Sequence, residues 1–191
     1  MTKSHRKTKE TEIKLSLNVH GSGNSDIKSG IGFFDHMLEA FAKHSLCDLE
    51  VVCDGDLHVD FHHTVEDIGI VLGEAIHKEL FPVKNIERFS NAVVILDEAA
   101  VEVDLDVSGR PFLVFDMPID GKAGDFDTEL AEEFFRAVVY NAKISAHIVL
   151  KRGKNRHHIV EAAFKAFAVA FRRAIALNER VVTTPSTKGL L

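Results

Sequence analysis

One short pattern occurs twice in this chain and constrains the fold more than any other feature of the sequence. The letters HHTVE at residues 62–66 match HHIVE at residues 157–161, and an apolar segment with helical spacing follows each copy. The same alignment, with a two-residue gap, places HML at residues 36–38 over EFF at residues 133–135. We therefore predict an internal duplication of about 95 residues.

Hydrophobic periodicity repeats in the same order in both halves. Helical spacing of apolar residues predicts helices at 33–44, 62–80, 128–140 and 157–177. Alternation of apolar and polar residues predicts strands at 13–19, 49–53, 57–61, 93–96, 101–107, 113–115 and 146–151, whereas residues 21–25 are predicted to form a turn or loop. The repeats are expected at about 1–88 and 89–191, with the seam near residues 82–90. Because each half alone would bury a marginal core, we expect one domain made of both repeats.

Composition and charge exclude several classes of protein. The chain is 46% hydrophobic and 27% charged, as is typical of globular proteins, and its apolar runs are far shorter than a membrane span. Residues 1–11 lack the apolar core of a secretory signal. The net charge of −6 argues against nucleic acid as the main partner. The two cysteines, Cys47 and Cys53, form no CxxC pair, which favours a reducing cytoplasm over a disulfide framework.

The chain contains eleven histidines, an excess that requires a chemical explanation. On a helix, residues three or four apart are neighbours, whereas adjacent side chains point about 100° apart. The glutamate of each motif therefore lies near both histidines, but only one histidine can share a metal ion with it, and the other is directed elsewhere. A single such motif is most often a solvated helix start; two copies at equivalent points of a duplication favour metal binding. The candidate ligands are His62, His63, Glu66, His157, His158 and Glu161, with the aligned pair His36 and Glu133.

The candidate ligand set contains nitrogen and oxygen atoms and no sulfur. Eight such ligands over two ions leave two open positions on each octahedral ion. This chemistry suits Mn²⁺, Fe²⁺, Co²⁺ or Ni²⁺ better than Zn²⁺, which is more often tetrahedral. The sequence therefore predicts two ions of this group.

The C-terminal segment 183–189 reads TTPSTKG and is either a solvated tail or a phosphate cradle, in which hydroxyls, an ammonium group and backbone N–H groups converge. Arg88 and Arg110 lie in predicted connections and are either turn residues or contacts to an anion. The basic segment 151–156 directly precedes the second histidine motif, where it is a solvated loop or attracts an anionic substrate.

Six motifs, which follow the family's order and spacing, resemble the imidazoleglycerol-phosphate dehydratase family over essentially the whole chain. They are GFFDHML at 32–38, the two histidine motifs, SGRP at 108–111, GKN at 153–155, and STKG at 186–189. The resemblance implies an α+β fold in which each half is a four-stranded sheet backed by two helices. It also implies dehydration of D-erythro-imidazole glycerol phosphate to imidazole acetol phosphate in histidine biosynthesis. By the same resemblance, two Mn²⁺ ions occupy active sites between subunits of a homo-oligomeric shell of about 24 copies.

The resemblance also assigns roles to residues. Glu10 would be the catalytic base and would also contact the substrate, and His44 would lie near it. The metal ligands would be His36, His62, His63, Glu66, His157, His158 and Glu161. Contacts to the phosphorylated substrate would come from Arg88, Arg110, Lys165, Ser186, Thr187 and Lys188. Where the family pattern has a histidine before two phenylalanines, this chain has Glu133, so that either the carboxylate replaces the imidazole as a ligand or water does.

Two other classes of function fit the same residues. A metal-dependent phosphate-ester hydrolase would use the ions to activate water and would release phosphate without forming a ketone. A non-catalytic metal-binding shell protein would keep the histidine motifs but would have no use for Arg88, Arg110 or the segment from Ser186 to Lys188.

Overall fold

Two four-stranded sheets with equivalent strand orders enclose four helices in the computed structural model, which describes residues 1–181 and 183–189. The first half contains β1 (Thr2–Lys7), β2 (Thr11–Asn18), β3 (Ser25–Lys28), α1 (Gly32–Ser45), β4 (Asp48–Gly55) and α2 (His62–Leu80). Its strand order is β1-β2-β4-β3, with β3 parallel to β4 and the other neighbours antiparallel.

The second half repeats this arrangement. It contains β5 (Phe89–Leu96), β6 (Ala99–Asp106), β7 (Phe112–Asp116), a short hairpin of β8 (Lys122–Ala123) and β9 (Phe126–Asp127), α3 (Glu129–Ala142), β10 (Ser145–Arg152) and α4 (Arg156–Ala174). Its strand order is β5-β6-β10-β7, with β7 parallel to β10. The predicted α+β fold, with two helices on a four-stranded sheet in each half, is therefore confirmed. Among the described residues, no helix is long and apolar enough to cross a membrane.

The structure corrects the predicted elements at several points. Strand β1 lies in the charged N-terminal segment, and the sequence did not predict it. Its inward positions carry polar side chains such as Thr2, Ser4 and Arg6, so the segment shows no hydrophobic alternation. Strand β3 was not predicted, and it begins at the end of the predicted loop at 21–25. The strand predicted at 57–61 is wrong, because these residues form the turn that precedes α2. The β8–β9 hairpin was not predicted, and α4 ends at Ala174, earlier than expected.

The core lies where the helices of the two halves meet. Phenylalanine rings from α3 and α4 stack there, with 5.0 Å between the ring centroids of Phe134 and Phe164, and both side chains are almost fully buried. Helices α2 and α3 approach even more closely at Gly69 and Gly73. A Cβ atom at Gly73 would lie 2.6 Å from the carbonyl oxygen of Val138. The close packing of these helices fixes the position of the residues at the starts of α2 and α4.

Candidate active site

Helix α4 begins with the second histidine motif and carries the best-formed cluster of ligand atoms. The side chain of Asn155 caps the helix by accepting hydrogen bonds from the backbone N–H groups of His157 and His158. One turn further on, Glu161 Oε2 lies 3.0 Å from His157 Nε2 and 3.6 Å from His36 Nε2 on α1. Ligand atoms of His36, His157 and Glu161 all lie within 4.8 Å of one another. The cluster thus combines a residue of the first half with two of the second.

The first histidine motif has a matching but smaller arrangement at the start of α2. His62 Nε2 lies 3.6 Å from Glu66 Oε2, one helical turn away. The His62 backbone N–H donates to Asp60 at 2.8 Å, which satisfies one of the free donors at the helix start. The side chain of Glu133, the aligned counterpart of His36, is not part of the cluster of ligand atoms found among the described residues. Its role as a ligand remains a prediction.

The second histidine of each motif points away from the first, as helix geometry predicts. The ring planes of His62 and His63 are perpendicular, and those of His157 and His158 lie at 83°. His63 Nδ1 is 2.9 Å from Asp56 Oδ2, and this hydrogen bond raises the pKa of His63. In the other half, His158 Nδ1 is 2.8 Å from Glu98 Oε2.

The His158 hydrogen bond changes the ionisation of both partners. Glu98 raises the pKa of His158, and the interaction with His158, followed by those with the Asn155 and Lys154 backbone N–H groups, lowers the pKa of Glu98 to about 2. Neither Asp56 nor Glu98 was selected from the sequence. Asp56 follows a glycine turn, and Glu98 lies in the turn between β5 and β6, so that each had a local explanation.

Glu10, predicted as the catalytic base, lies beside the first motif. It sits in the turn between β1 and β2, and its carboxylate Oε1 is 3.8 Å from His63 Nε2. Its backbone carbonyl accepts a hydrogen bond from the Asp56 N–H at 3.0 Å. The β1–β2 turn is thereby joined to the turn that contains Asp56, whose side chain is bonded to His63. The exposed Glu10 side chain is therefore anchored next to the histidines by its backbone.

Lys165 and His44 lie below the cluster on α4 and α1. Lys165 Nζ forms a 2.7 Å ion pair with Glu161 Oε1. Burial raises the pKa of Glu161, but the hydrogen bond and charge of Lys165, together with His36 and His157, hold the pKa below its ordinary value. Burial, reinforced by the charges of Lys165 and Arg172, lowers the pKa of His44. The structure thus places Lys165 against a candidate ligand, and its predicted contact with substrate remains a prediction.

A second region contains the residues predicted to bind an anion. A cavity of about 810 Å³ is lined by Arg88, Phe89, Ser108, Arg110, Pro185, Ser186, Thr187 and Lys188. Arg88 is held in place by Asp106, with an Nε–Oδ1 distance of 2.7 Å, and donates from Nη1 to the Pro185 carbonyl at 2.6 Å. Arg88 therefore attaches the C-terminal segment to the fold, while Arg110 and Lys188 remain exposed at the cavity.

The cavity and the histidine cluster lie at opposite ends of α4. Glu161 is near the start of this helix, whereas the backbone N–H of Arg88 donates to the carbonyl of Ala174 at its end. At 1.5 Å per residue, about 20 Å of helix separates them. Within one chain, a small molecule cannot contact both regions.

The ligand atoms of the two clusters are nitrogen and oxygen. The two cysteine thiols do not belong to either cluster. Burial raises the pKa of the Cys47 thiol to about 12 and that of Cys53 to about 11, so both stay protonated. Since a metal binds the thiolate rather than the thiol, sulfur does not compete for these sites. Imidazole and carboxylate groups fit a divalent ion such as Mn²⁺.

Fold and clusters together define an internally duplicated α+β enzyme with histidine–carboxylate sites at the starts of two equivalent helices. A comparison with protein-family profiles matches residues 29–171 to the profile described as Imidazoleglycerol-phosphate dehydratase. The chain belongs to the imidazoleglycerol-phosphate dehydratase family, as its motifs indicated.

Relatives cover the whole chain. It is 64% identical over 191 residues to the imidazoleglycerol-phosphate dehydratase of Nautilia profundicola, with 100% of both chains aligned. It is 66% identical over 186 residues to that of Wolinella succinogenes, covering 97% of each. Among solved structures, the enzyme of Pyrococcus furiosus, crystallised with (S)-C348, matches with a TM-score of 0.85 at 37% identity, covering 98% of this chain and 100% of that one. The Staphylococcus aureus enzyme matches with a TM-score of 0.82 at 40% identity, covering 92% and 98%.

Proposed function

We propose that this chain dehydrates D-erythro-imidazole glycerol phosphate to imidazole acetol phosphate in histidine biosynthesis, with two Mn²⁺ ions at each active site. Membership of the family supports the reaction. The single observation that carries the proposal is the presence, on one fold, of a histidine–carboxylate cluster and a cavity lined by Arg88, Arg110 and Lys188. These are the two kinds of site that an imidazole ring and a phosphate group require. We also propose the cytoplasm as its compartment, because both cysteines are free thiols.

The first ion would be held by His36, His157 and Glu161, whose ligand atoms already lie together. The second would be held by His62 and Glu66, with Glu133 as the remaining candidate from α3. His63 and His158 point away from these groups and would complete sites on neighbouring copies. When bound, Mn²⁺ would supply Lewis acidity that favours the imidazolate form of the substrate ring.

Loss of water requires that a proton leaves the carbon next to the departing hydroxyl. Glu10 is the base that takes this proton, because its carboxylate is exposed and anchored beside His63. His44 contacts the substrate as a neutral imidazole, since its pKa is lowered. The enol product then tautomerises to the ketone.

The phosphate is bound in the cavity. Arg110 and Lys188 supply positive charge, Ser186 and Thr187 supply hydroxyl donors, and Arg88 holds the segment in place. Because about 20 Å of α4 separates this cavity from the cluster in one chain, the active site combines regions of different copies of a homo-oligomer, for which we propose the shell of about 24 subunits.

The first experiment removes divalent metal with a chelator and then restores Mn²⁺, while formation of the ketone and of free phosphate is followed with imidazole glycerol phosphate as substrate. We expect ketone formation to stop on chelation and to return with Mn²⁺. A folded protein that binds Mn²⁺ and releases phosphate without ketone would be a hydrolase instead. One that binds Mn²⁺ and yields neither product would be a metal-binding protein without this activity.

A further inference from the structure

The two histidines that point away from their own helical glutamates share one feature. In each half, a carboxylate from an earlier turn is paired with the Nδ1 atom of the second histidine: Asp56 with His63 at 2.9 Å, and Glu98 with His158 at 2.8 Å. In both, Nε2 is the nitrogen farther from carboxylate oxygens, 3.8 Å from Glu10 and 3.9 Å from Asp97. The same pairing is therefore built twice from different residues in different turns.

A carboxylate is only an acceptor, so it selects the imidazole form that carries its proton on Nδ1. The lone pair is then on Nε2, which lies beyond hydrogen-bond distance of the carboxylates in the described ranges. Such carboxylate–histidine pairs fix both the tautomer and the ring orientation of metal-binding histidines. By contrast, no carboxylate pairs with Nδ1 of His62 or His157 in the described ranges, and both face the glutamate of their own helix through Nε2.

The two carboxylates differ in what else they do. Glu98 uses its other oxygen, Oε1, to accept hydrogen bonds from the backbone N–H groups of Lys154 and Asn155, at 3.2 and 2.8 Å. Asp56 has a mostly buried side chain, and within residues 1–181 and 183–189 its only side-chain hydrogen bond is to His63. A carboxylate retained for stability alone would be expected to satisfy both oxygens. Orientation of His63 is therefore the function that best accounts for Asp56.

We propose that Asp56 and Glu98 are positioning residues, which hold His63 and His158 in the Nδ1–H tautomer so that Nε2 of each is presented to a divalent metal ion. This inference rests on the proposed function, because it takes His63 and His158 to be ligands. It predicts that the pairing is needed for metal affinity and not for the fold.

Glu98→Gln is the sharpest test, because the two backbone N–H groups hold the amide oxygen and leave the NH₂ group facing His158 Nδ1. That donor favours the Nε2–H tautomer, which has no lone pair for a metal. Asp56→Ala removes the acceptor for His63. Glu102→Gln and Asp54→Ala are the matched controls, since neither carboxylate contacts a histidine in the described structure.

Mn²⁺ binding by the full-length variants is measured from the EPR signal of free Mn²⁺, and thermal unfolding is measured in parallel. We expect Glu98→Gln and Asp56→Ala to bind Mn²⁺ about 10- to 100-fold more weakly at one class of site, with unfolding of Glu98→Gln close to wild type and both controls unchanged. Glu98→Asp should recover part of the affinity if its shorter side chain still reaches Nδ1. Wild-type affinity in both variants would overturn the proposal.

Nitrogen-15 spectra of histidine-labelled, metal-free protein provide a second measurement that needs neither metal nor substrate. At a pH above the raised pKa values of His63 and His158, where both rings are neutral, we expect these two histidines to have the Nδ1–H tautomer in the wild type, and one of them to lose it in each variant. Unchanged tautomers in the variants would also overturn the proposal. If the tautomers behave as expected but the wild type binds no Mn²⁺, the proposed function fails and the positioning of the two rings does not.

Discussion

Three carboxylates outside any recognised motif hold the residues on which the proposed chemistry depends. Asp56 and Glu98 orient one histidine each, and Asp106 holds the guanidinium group of Arg88 against the C-terminal segment. The Asp56–His63 bond spans only seven residues, whereas the Glu98–His158 bond spans 60 residues and depends on the packing of the fold. The residues proposed to bind metal and phosphate are thus held in place by carboxylates that themselves contact neither ligand.

Lys188 is one of two exposed cations that line the cavity, and its replacement separates phosphate binding from metal binding. We expect Lys188→Ala to raise KM by about 10- to 100-fold, because a charge-assisted hydrogen bond to phosphate contributes roughly 1.5 to 3 kcal/mol. Its metal content should not change. Steady-state kinetics and metal analysis test this, with Lys14→Ala, on the outer face of the first sheet, as the control. An unchanged KM would remove Lys188 from the phosphate site.

Asp48 holds the loop before β3 through hydrogen bonds, and its contribution to the free energy of unfolding should depend on pH. Its Oδ1 accepts the backbone N–H groups of Ser22 and Asn24, both at 3.0 Å, and these bonds hold the pKa of Asp48 below its ordinary value of 3.8. A carboxyl group with a lowered pKa stabilises the fold above the unfolded value, and this contribution is lost as the pH falls through the folded value.

We therefore expect Asp48→Ala to lower the free energy of unfolding by about 1 kcal/mol at pH 7, since the partners are exposed. The difference from wild type should shrink as the pH is lowered below 3.8. Urea unfolding at several pH values measures it, with Asp26→Ala as a control that removes only an exposed pair with Lys28. A difference that is independent of pH would contradict this account.

The sequence alone identified the histidine motifs, but it did not predict which residues of the chain they contact. His36 was selected because it aligns with Glu133 in the duplication, yet its contact with Glu161 depends on α1 packing against α4, which no local pattern encodes. Glu98 was missed for the same reason, because its partner His158 is 60 residues away in the chain. Asp56 lies only seven residues before His63 and was missed because acidic residues are common in turns.

Helix α2 packs against α3 through glycine, and this contact should be intolerant of added volume. A Cβ at Gly73 would lie 2.6 Å from the carbonyl oxygen of Val138 and 2.8 Å from Asn141 Cβ. We expect Gly73→Ala to destabilise the protein by about 1 to 3 kcal/mol, because the separation of the helices outweighs the higher helix propensity of alanine.

Gly32 at the start of α1 is the matched control, because a Cβ there would meet nothing within 4 Å. Gly32→Ala should leave the unfolding free energy unchanged or slightly raised. Chemical denaturation measures both variants. Equal effects at the two positions would show that backbone entropy, and not the contact with α3, determines the result.

The elements that hydrophobic periodicity predicted best are the four helices, because a buried stripe on each faces another helix or a sheet. Strand β1 was missed because it is an edge strand held by polar contacts. Arg6 pairs with the buried Asp67 on α2 at 3.1 Å, and Thr2 donates to Glu79 on the same helix at 2.6 Å. Such a strand carries little hydrophobic signal in its sequence.

At the scale of the whole molecule, the cavity and the histidine cluster are far apart on one chain. This separation predicts how assemblies that contain two different variants will behave. Lys188→Ala damages the cavity, and His157→Ala damages the cluster. If one active site takes its cavity and its cluster from different copies, then co-expression of the two variants should give up to about a quarter of wild-type activity at a substrate concentration far below the KM of Lys188→Ala, because random assembly leaves that share of sites intact. Activity of the co-purified mixture tests this against each variant alone. No recovery in a mixed assembly would place both regions on one chain.

The glycines of α2 show how the two halves differ when their sequences are aligned. The positions of α4 that correspond to Gly69 and Gly73 carry Phe164 and Ala168. Phe164 fills space against Phe134, whereas Gly69 lets the α3 backbone come close. Helices α2 and α4 thus meet the same helix, α3, in different ways, one through backbone contact and the other through a large ring. A side chain exchanged between these two positions would either collide with α3 or leave a gap beside it, so the two halves are no longer interchangeable.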